Sequence, residues 1–261
     1  AIAVPARLGS RAPENAGERF NTRFSKPIDS DSERLLRVAT FNIQTGKSHA
    51  GIRNIEASAL ALKDVHFAGV QEVYAPEFLN WFGIGLSQPE VLAKTGSFGY
   101  SFHPTRKRWF RNHRGNTMLS KLLIKAWKTI NLPDWSNKSH RNYTVAKVLW
   151  EGKEITIINT HLHTSIGNEA QLDIVLKEFV KHTPAILMGD FNTQNNHPLI
   201  QAGLKAGQFS DAIGQLALDP EEEQRIDWIL TRGLTAVSGN YLPKGISDHP
   251  YYEVQLRLGD D

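Results

Sequence analysis

The sequence predicts a mixed α/β sandwich in which helices cover two packed β-sheets. Three observations carry that class. Eight short β-rich stretches follow one another along the chain, helical patterns are interposed among them, and 261 residues at 40% hydrophobic content can bury one substantial core.

In chain order, residues 1–34 are rich in Arg, Ser, Pro and Asn without a sustained apolar period. They are expected as an extended arm lying on a single domain of residues 35–261. LLRVATFNI (Leu35 to Ile43) reads as the first strand, and GIRNIEASALAL (Gly51 to Leu62) spaces Ile52, Ile55, Ala59 and Leu62 along one helix face. FAGVQEV (Phe67 to Val73) is a second strand. The apolar FLNWFGIGL (Phe78 to Leu86) after it is expected as a core helix, with an exposed lipid-contacting loop as the other reading. Further strands are predicted at GNTMLS (Gly115 to Ser120), YTVAKVLW (Tyr143 to Trp150), EITIINTHL (Glu154 to Leu162), PAILMGDF (Pro184 to Phe191), RIDWIL (Arg225 to Leu230) and YYEVQLRL (Tyr251 to Leu258). NEAQLDIVLKEFVKH (Asn168 to His182) is a helix with Leu172, Val175, Leu176, Phe179 and Val180 on one side.

The chain has no cysteine, which excludes disulfides, thiolate catalysis and cysteine-ligated zinc. No apolar run approaches the roughly 20 residues that span a bilayer. A soluble chain without stable membrane insertion is therefore expected, its compartment, cytoplasmic or exported, left open. The net charge of +3 is unevenly spread. Val91 to Pro133 holds no Asp or Glu but carries Lys94, Arg106, Lys107, Arg108, Arg111, Arg114, Lys121, Lys125 and Lys128, with Trp109, Phe110 and Trp127 interleaved. Such a block suits a polyanion, although a solvated basic face has the same composition.

Polar residues of catalytic type sit at the strand ends. Asn42, Glu72 and His161 come near the ends of three strands, Asp190 and Asn192 at or just past the end of a fourth, Asp227 inside RIDWIL, and Asp248 and His249 just before the last strand. Each placement alone has a bland explanation, since Asp and Asn cap turns and a histidine at a strand end is commonly structural. Together they suggest a shared rim. No Gly-x-Ser-x-Gly elbow and no phosphate-cradling Gly-x-x-x-x-Gly-Lys-Ser/Thr loop occurs. Carboxylates, amides and histidines instead form a hard-oxygen set suited to Mg²⁺ or Mn²⁺, with Ca²⁺ as a further substitute, and to metal-assisted phosphodiester hydrolysis.

RVATFNIQ, GVQEV, GNTMLSK, NTHLH, MGDFN, RIDWIL and ISDHP occur in the order and at roughly the spacing of the endonuclease/exonuclease/phosphatase superfamily, which the chain resembles from about Arg37 to Leu258. The resemblance implies a four-layered, deoxyribonuclease I-like sandwich with its site at one rim. It implies Glu72 as the principal metal ligand, with Asn42 beside it and Asp248 contributing. It makes Asp190 the residue that orients or deprotonates water, Asn192 its support, and His249 a phosphate contact held by Asp227. His161 becomes a second phosphate-facing histidine, without a visible acidic partner. Alternation would place His163 on the same face as His161 if the strand continues. Arg114 from the basic block and Arg141 from SHRN (Ser139 to Asn142), with Asn42, are the expected substrate contacts.

The expected activity is a Mg²⁺-dependent nuclease, because the basic block favours nucleic acid. A lipid-headgroup or small-phosphoester hydrolase is the alternative, and a catalytically silent nucleic-acid-binding module the least favoured reading. A monomer without an obligate protein partner is expected.

Overall fold

The computed structural model describes residues 9–28, 34–76, 78–108, 111–135 and 140–259. Two mixed sheets of seven strands face each other. The first has the spatial order β1 (Gly9–Arg11), β5 (Gly99–Arg108), β6 (Arg114–Ser120), β4 (Phe67–Tyr74), β3 (Leu36–Asn42), β14 (Tyr251–Leu258) and β13 (Leu234–Leu242). The second runs β11 (Ser210–Asp211), β12 (Asp227–Arg232), β10 (Ala185–Asp190), β9 (Lys153–His161), β8 (Asn142–Trp150), β7 (Ile124–Asn131) and β2 (Asn15–Gly17). Each sheet contains one parallel pair, β3 with β4 and β9 with β10. Parallel neighbours need a crossover. Helices α1 (Ile55–Leu62) and α3 (Asn168–Phe179) lie in the two crossover connections.

The layers follow from period-two alternation. Leu36, Val38, Phe67, Ile157, Ile186, Met188, Ile229 and Val254 form the cluster between the sheets. The intervening residues face outward: Phe41, Val70 and Leu119 pack with Leu62 of α1 and Leu92 of α2 (Gln88–Gly96), and Ile158, Leu187 and Leu230 pack with Leu172, Val175 and Phe179 of α3. The result is helix, sheet, sheet, helix. Two smaller helices, α4 (Pro198–Lys205) and α5 (Ala212–Gln215), complete the second face.

The strands and the two helices read from the sequence are present, with trimmed ends. Helix α1 starts at Ile55, leaving Ile52 exposed outside it, and α3 ends at Phe179. Strand β12 starts at Asp227. The expected core helix at Phe78–Leu86 is a correction. It is a short 3₁₀ turn (Phe78–Phe82) whose Leu79 and Phe82, with Ile84 after it, are exposed. Gly83 and Gly85, both at positive φ, end it before helical periodicity can bury a face. In the N-terminal segment, β1 pairs with the edge of the first sheet and β2 with the edge of the second. Residues 1–8 and 29–33, together with Trp109 and Phe110, lie outside the described residues. Among the described residues, no helix is long and apolar enough to cross a membrane.

Two glycines are required by close approach. A Cβ on Gly69 would stand 2.6 Å from the Asn159 amide oxygen across the sandwich, and one on Gly189, at φ +140°, would stand 1.9 Å from the Thr160 carbonyl oxygen. Because the second obstacle is backbone, Gly189→Ala is expected to lower unfolding free energy by at least about 2 kcal/mol. Urea unfolding checks this; a change within error would mean that β9 and β10 can part without cost.

Candidate active site

Alternation decides which polar residues enter the site. Asn42 continues the inner face of Val38, His161 that of Ile157, Asp190 that of Ile186 and Met188, and Asp227 that of Ile229. The carboxyl ends of β3, β4, β9 and β10 share one rim with the amino ends of their antiparallel neighbours. Asp190 stands opposite His161 on one side and opposite Asp227 on the other. The two sheets meet there: Asn42 Nδ2 donates to Asp190 Oδ2 at 2.9 Å.

Glu72 requires a different device. Strict alternation turns Gln71 inward, where its amide donates to Asn159 Oδ1 at 2.7 Å, and would turn Glu72 outward. The register of β4 against β6 shifts between Val70 and Val73, and Glu72 adopts φ +57°. A bulge of this kind re-aims a side chain. The Glu72 carboxylate meets Arg114 Nη2 at 2.5 Å, and Arg114 shares the inner face with Asn116 and Met118.

Around Asp190, His161 Nε2 lies 3.2 Å from Oδ2 and Arg141 Nη1 lies 3.4 Å from His161 Nδ1. Burial first, and the Arg141 charge second, hold His161 well below its ordinary pKa. The neutral ring therefore donates to Asp190 and accepts from Arg141. His161 is buried, and the acidic partner that the sequence alone does not place for it is Asp190. Arg141, lowered to about 10 by burial and by Arg114, stays cationic at neutral pH, and its Nε has no partner among the described residues.

His249 Nδ1 donates to Asp227 Oδ2 at 2.7 Å, and Nε2 lies 3.7 Å from Asp190 Oδ2. Burial pulls the imidazole down, but Asp227, with Asp190 and Asp248 beyond, outweighs it and raises His249 to about 10. Asp190 is pushed up to about 7, first by burial and then by the Asp227 charge. Asn192, at φ +49°, supports Asp190 through its backbone N–H at 2.9 Å, while its side-chain amide donates to the Leu162 carbonyl. The condition for His163 to share the face of His161 is not met. Strand β9 ends at His161, and His163 sits in the following loop, accepting from Ser165 N at 3.1 Å.

Asp190, Asp227 and His249 offer three ligand atoms within 4.8 Å of one another, the spacing of a possible metal cluster. Asp227 Oδ2 already holds His249 Nδ1, so the trio also forms a hydrogen-bonded Asp-His pair beside Asp190. The hard-oxygen donors Glu72, Asn42 and Asp248 fit a divalent cation better. Asn42 is the register partner of Gln71, next to Glu72. Ser247 Oγ, which donates to the Asn42 carbonyl at 2.7 Å and lies 3.1 Å from Asp248 Oδ1, ties Asp248 to the same strand end. Ser247 was not singled out from sequence, because an isolated Ser carries no spacing signal.

The basic block divides. Arg106, Lys107, Arg108 and Arg114 lie at the Glu72 end of β5 and β6, whereas Lys121 follows the far end of β6.

The profile of the Endonuclease/Exonuclease/phosphatase family matches residues 39–249. No curated protein matches the chain. Among solved structures, an endonuclease/exonuclease/phosphatase from Beutenbergia cavernae is similar at 22% identity and TM-score 0.69, over 87% of this chain and 72% of that one. TDP2 of D. rerio complexed with single-strand DNA product is similar at 18% identity and TM-score 0.63, over 87% of this chain and 100% of that one. A mannosyl-6-phosphatase from Bacteroides thetaiotaomicron is similar at 19% identity and TM-score 0.62, over 85% and 100%. At these identities the likeness shows the fold, with two sheets and flanking helices in common. With the family profile spanning β3 to the Asp248-His249 pair, the chain belongs to the endonuclease/exonuclease/phosphatase family of phosphoester hydrolases, which are generally divalent-metal dependent.

Proposed function

We propose that the protein is a Mg²⁺-dependent phosphodiester hydrolase that cuts nucleic acid. One observation carries the reading: a buried carboxylate, Asp190, lies 3.7 Å from the His249 imidazole on one side and 3.2 Å from His161, which is backed by Arg141, on the other. Asp190 accepts the proton of the attacking water, a task suited to a pKa near working pH. His249 meets charge growing on phosphoryl oxygens, and the buried Arg141 guanidinium adds positive charge behind His161. Glu72, Asn42 and Asp248 would hold the cation, which supplies Lewis-acid neutralisation when bound. Arg106, Lys107, Arg108 and Arg114 supply positive charge for flanking phosphates. The exposed Leu79, Phe82 and Ile84, just beyond β4, favour a second reading, a lipid-headgroup ester.

Asp190→Ala or His249→Ala is expected to lower turnover by about 10²–10³-fold or more with the fold retained. The assay is cleavage of supercoiled plasmid and single-stranded oligonucleotide with Mg²⁺ or EDTA, beside sphingomyelin and bis-p-nitrophenyl phosphate. Retention of a tenth of activity by either variant would remove its residue from the chemistry, and hydrolysis of sphingomyelin alone would select the second reading. Neutralising Arg106, Lys107 and Arg108 together should reduce cleavage of long DNA more than that of the small ester; equal losses would remove the basis for nucleic acid. Glu72→Gln should raise the Mg²⁺ concentration needed for half-maximal rate, and an unchanged requirement would move the ligand elsewhere.

The pH profile follows from the same pair of groups. The base must be ionised, so activity rises through about pH 7, and it falls as His249 loses its proton near 10. A raised histidine also contributes stability that is fully present below its ordinary 6.5 and is lost as pH rises through about 10. Asp227→Asn removes the charge that raises both groups, so both limbs should move to lower pH. Proton NMR of the His249 ring reads the alkaline limb directly, and an unshifted titration would dissolve the assigned dyad.

A further inference from the structure

A cavity of about 710 Å³ opens beside His249 and Asp227, bounded by Asp219, Glu221, Gln224, Tyr241 and Lys244. Its position follows from strand order. In the first sheet, β4 and β6 with Glu72 and Arg114 lie on one side of β3, and β14 and β13 with Tyr241 lie on the other. In the second, β8 follows Arg141 on one side of β10, while β12 carries Asp227 on the other. Glu72 and the basic groups therefore flank Asp190 and Asn42 on one side, and the cavity, with Asp248 on its wall, flanks them on the opposite side.

The two sides differ in charge. Asp219, Glu221 and Asp248 line the cavity against Lys244. Arg225 lines it too, but its charge is spent inward: the guanidinium pairs with Asp211, donates to the Asp227 carbonyl at 3.1 Å and lies 4.1 Å over the Trp228 ring. Asp219 is fixed by the Tyr252 hydroxyl and by the Glu221 N–H at 2.9 Å. After burial, the charges of Asp219 and Glu221 raise the Tyr241 hydroxyl, as nearby carboxylates must. A second phosphate is repelled here. An uncharged group with hydroxyl donors and a flat ring finds carboxylate acceptors, the Gln224 amide and the Tyr241 ring.

We propose that this cavity is a nucleoside subsite, which takes the sugar and base esterified to the phosphate at His249 while the backbone phosphates cross the basic side. It rests on the nucleic-acid reading above and sharpens it. A base inside a duplex reaches such a cavity only by leaving the stack, so single-stranded or terminal nucleotides are the preferred substrates.

Two measurements test it. Saturation-transfer NMR with free thymidine and adenosine reads binding without turnover, and hydrolysis of thymidine 5′-(p-nitrophenyl) phosphate is compared with that of methyl p-nitrophenyl phosphate. Wild type should bind the nucleosides and prefer the thymidine ester. Tyr241→Ala should raise its KM roughly tenfold, the scale of one lost stacking contact, and leave the methyl ester unchanged. Glu221→Gln, on an exposed turn, should weaken the same preference in a folded protein even if Tyr241→Ala unfolds. Absence of nucleoside binding, or variant losses equal on both esters, overturns the subsite while leaving the phosphodiesterase intact. Nucleoside binding with neither ester hydrolysed supports the subsite and overturns the phosphodiesterase.

Discussion

One carboxylate oxygen, Oδ2 of Asp190, gathers the site. Asn42 reaches it from the opposite sheet, His161 from the neighbouring strand, and His249 stands 3.7 Å away. A buried carboxylate without such donors would cost several kcal/mol. The contact with Asn42 exists only because the sheets approach closely at this end, which is also why Gly69 has no room for a Cβ against Asn159. Beneath it the inter-sheet layer turns polar, with Gln71 bonded to Asn159 and Asn116 Nδ2 donating to Asn142 Oδ1 at 3.2 Å. The site is thus the last layer of a core whose composition changes from aliphatic to amide to ionisable along the same inner-facing positions.

That graded face is what made the chain legible. Leu36, Val38 and Asn42 show alternation in plain sequence, and so do Ile186, Met188 and Asp190, so both the strand and its polar terminus could be read together. Strands without a clean inner face were missed. Strand β5 carries Pro104 at a register shift and ends in a basic run; β7 exposes Lys125 and Lys128; β13 is interrupted by Ser238, Gly239 and Asn240 beside a bulge. The same limit applies to the site. The alternation that located Asn42 and Asp190 gives no hint that Glu72 is re-aimed by a bulge, nor that His161 turns between Arg141 and Asp190, because both depend on partners distant in sequence.

The basic block illustrates how linear charge misleads. Its nine cations are contiguous in composition, yet antiparallel β5 and β6 carry Arg106, Lys107, Arg108 and Arg114 to the Glu72 end and leave Lys121 about 20 Å away, at roughly 3.3 Å per residue of β6. The first group is the part of the block nearest Glu72. What the sequence hid is the acidic wall on the other side, since Asp219 and Glu221 are separated from Asp248 by strands β12 and β13. The rim is thus positive on one flank and negative on the other, an asymmetry that net charge alone does not reveal.

The same asymmetry separates two buried acids that are register partners. Asp190 and Asp227 face each other across β10 and β12, and burial together with the Asp227 charge raises the Asp190 carboxyl. Asp227 is bonded through its Oδ2 to the His249 ring, and among the described residues its Oδ1 has no hydrogen-bond partner. That concentrated charge lifts both neighbours, but in opposite senses for function: it keeps His249 cationic and makes Asp190 a better base. One residue therefore raises both the imidazole and the carboxyl beside it. This division of roles needs no difference in side-chain type, only that one carboxylate stands beside a histidine nitrogen and the other beside an amide and a neutral ring.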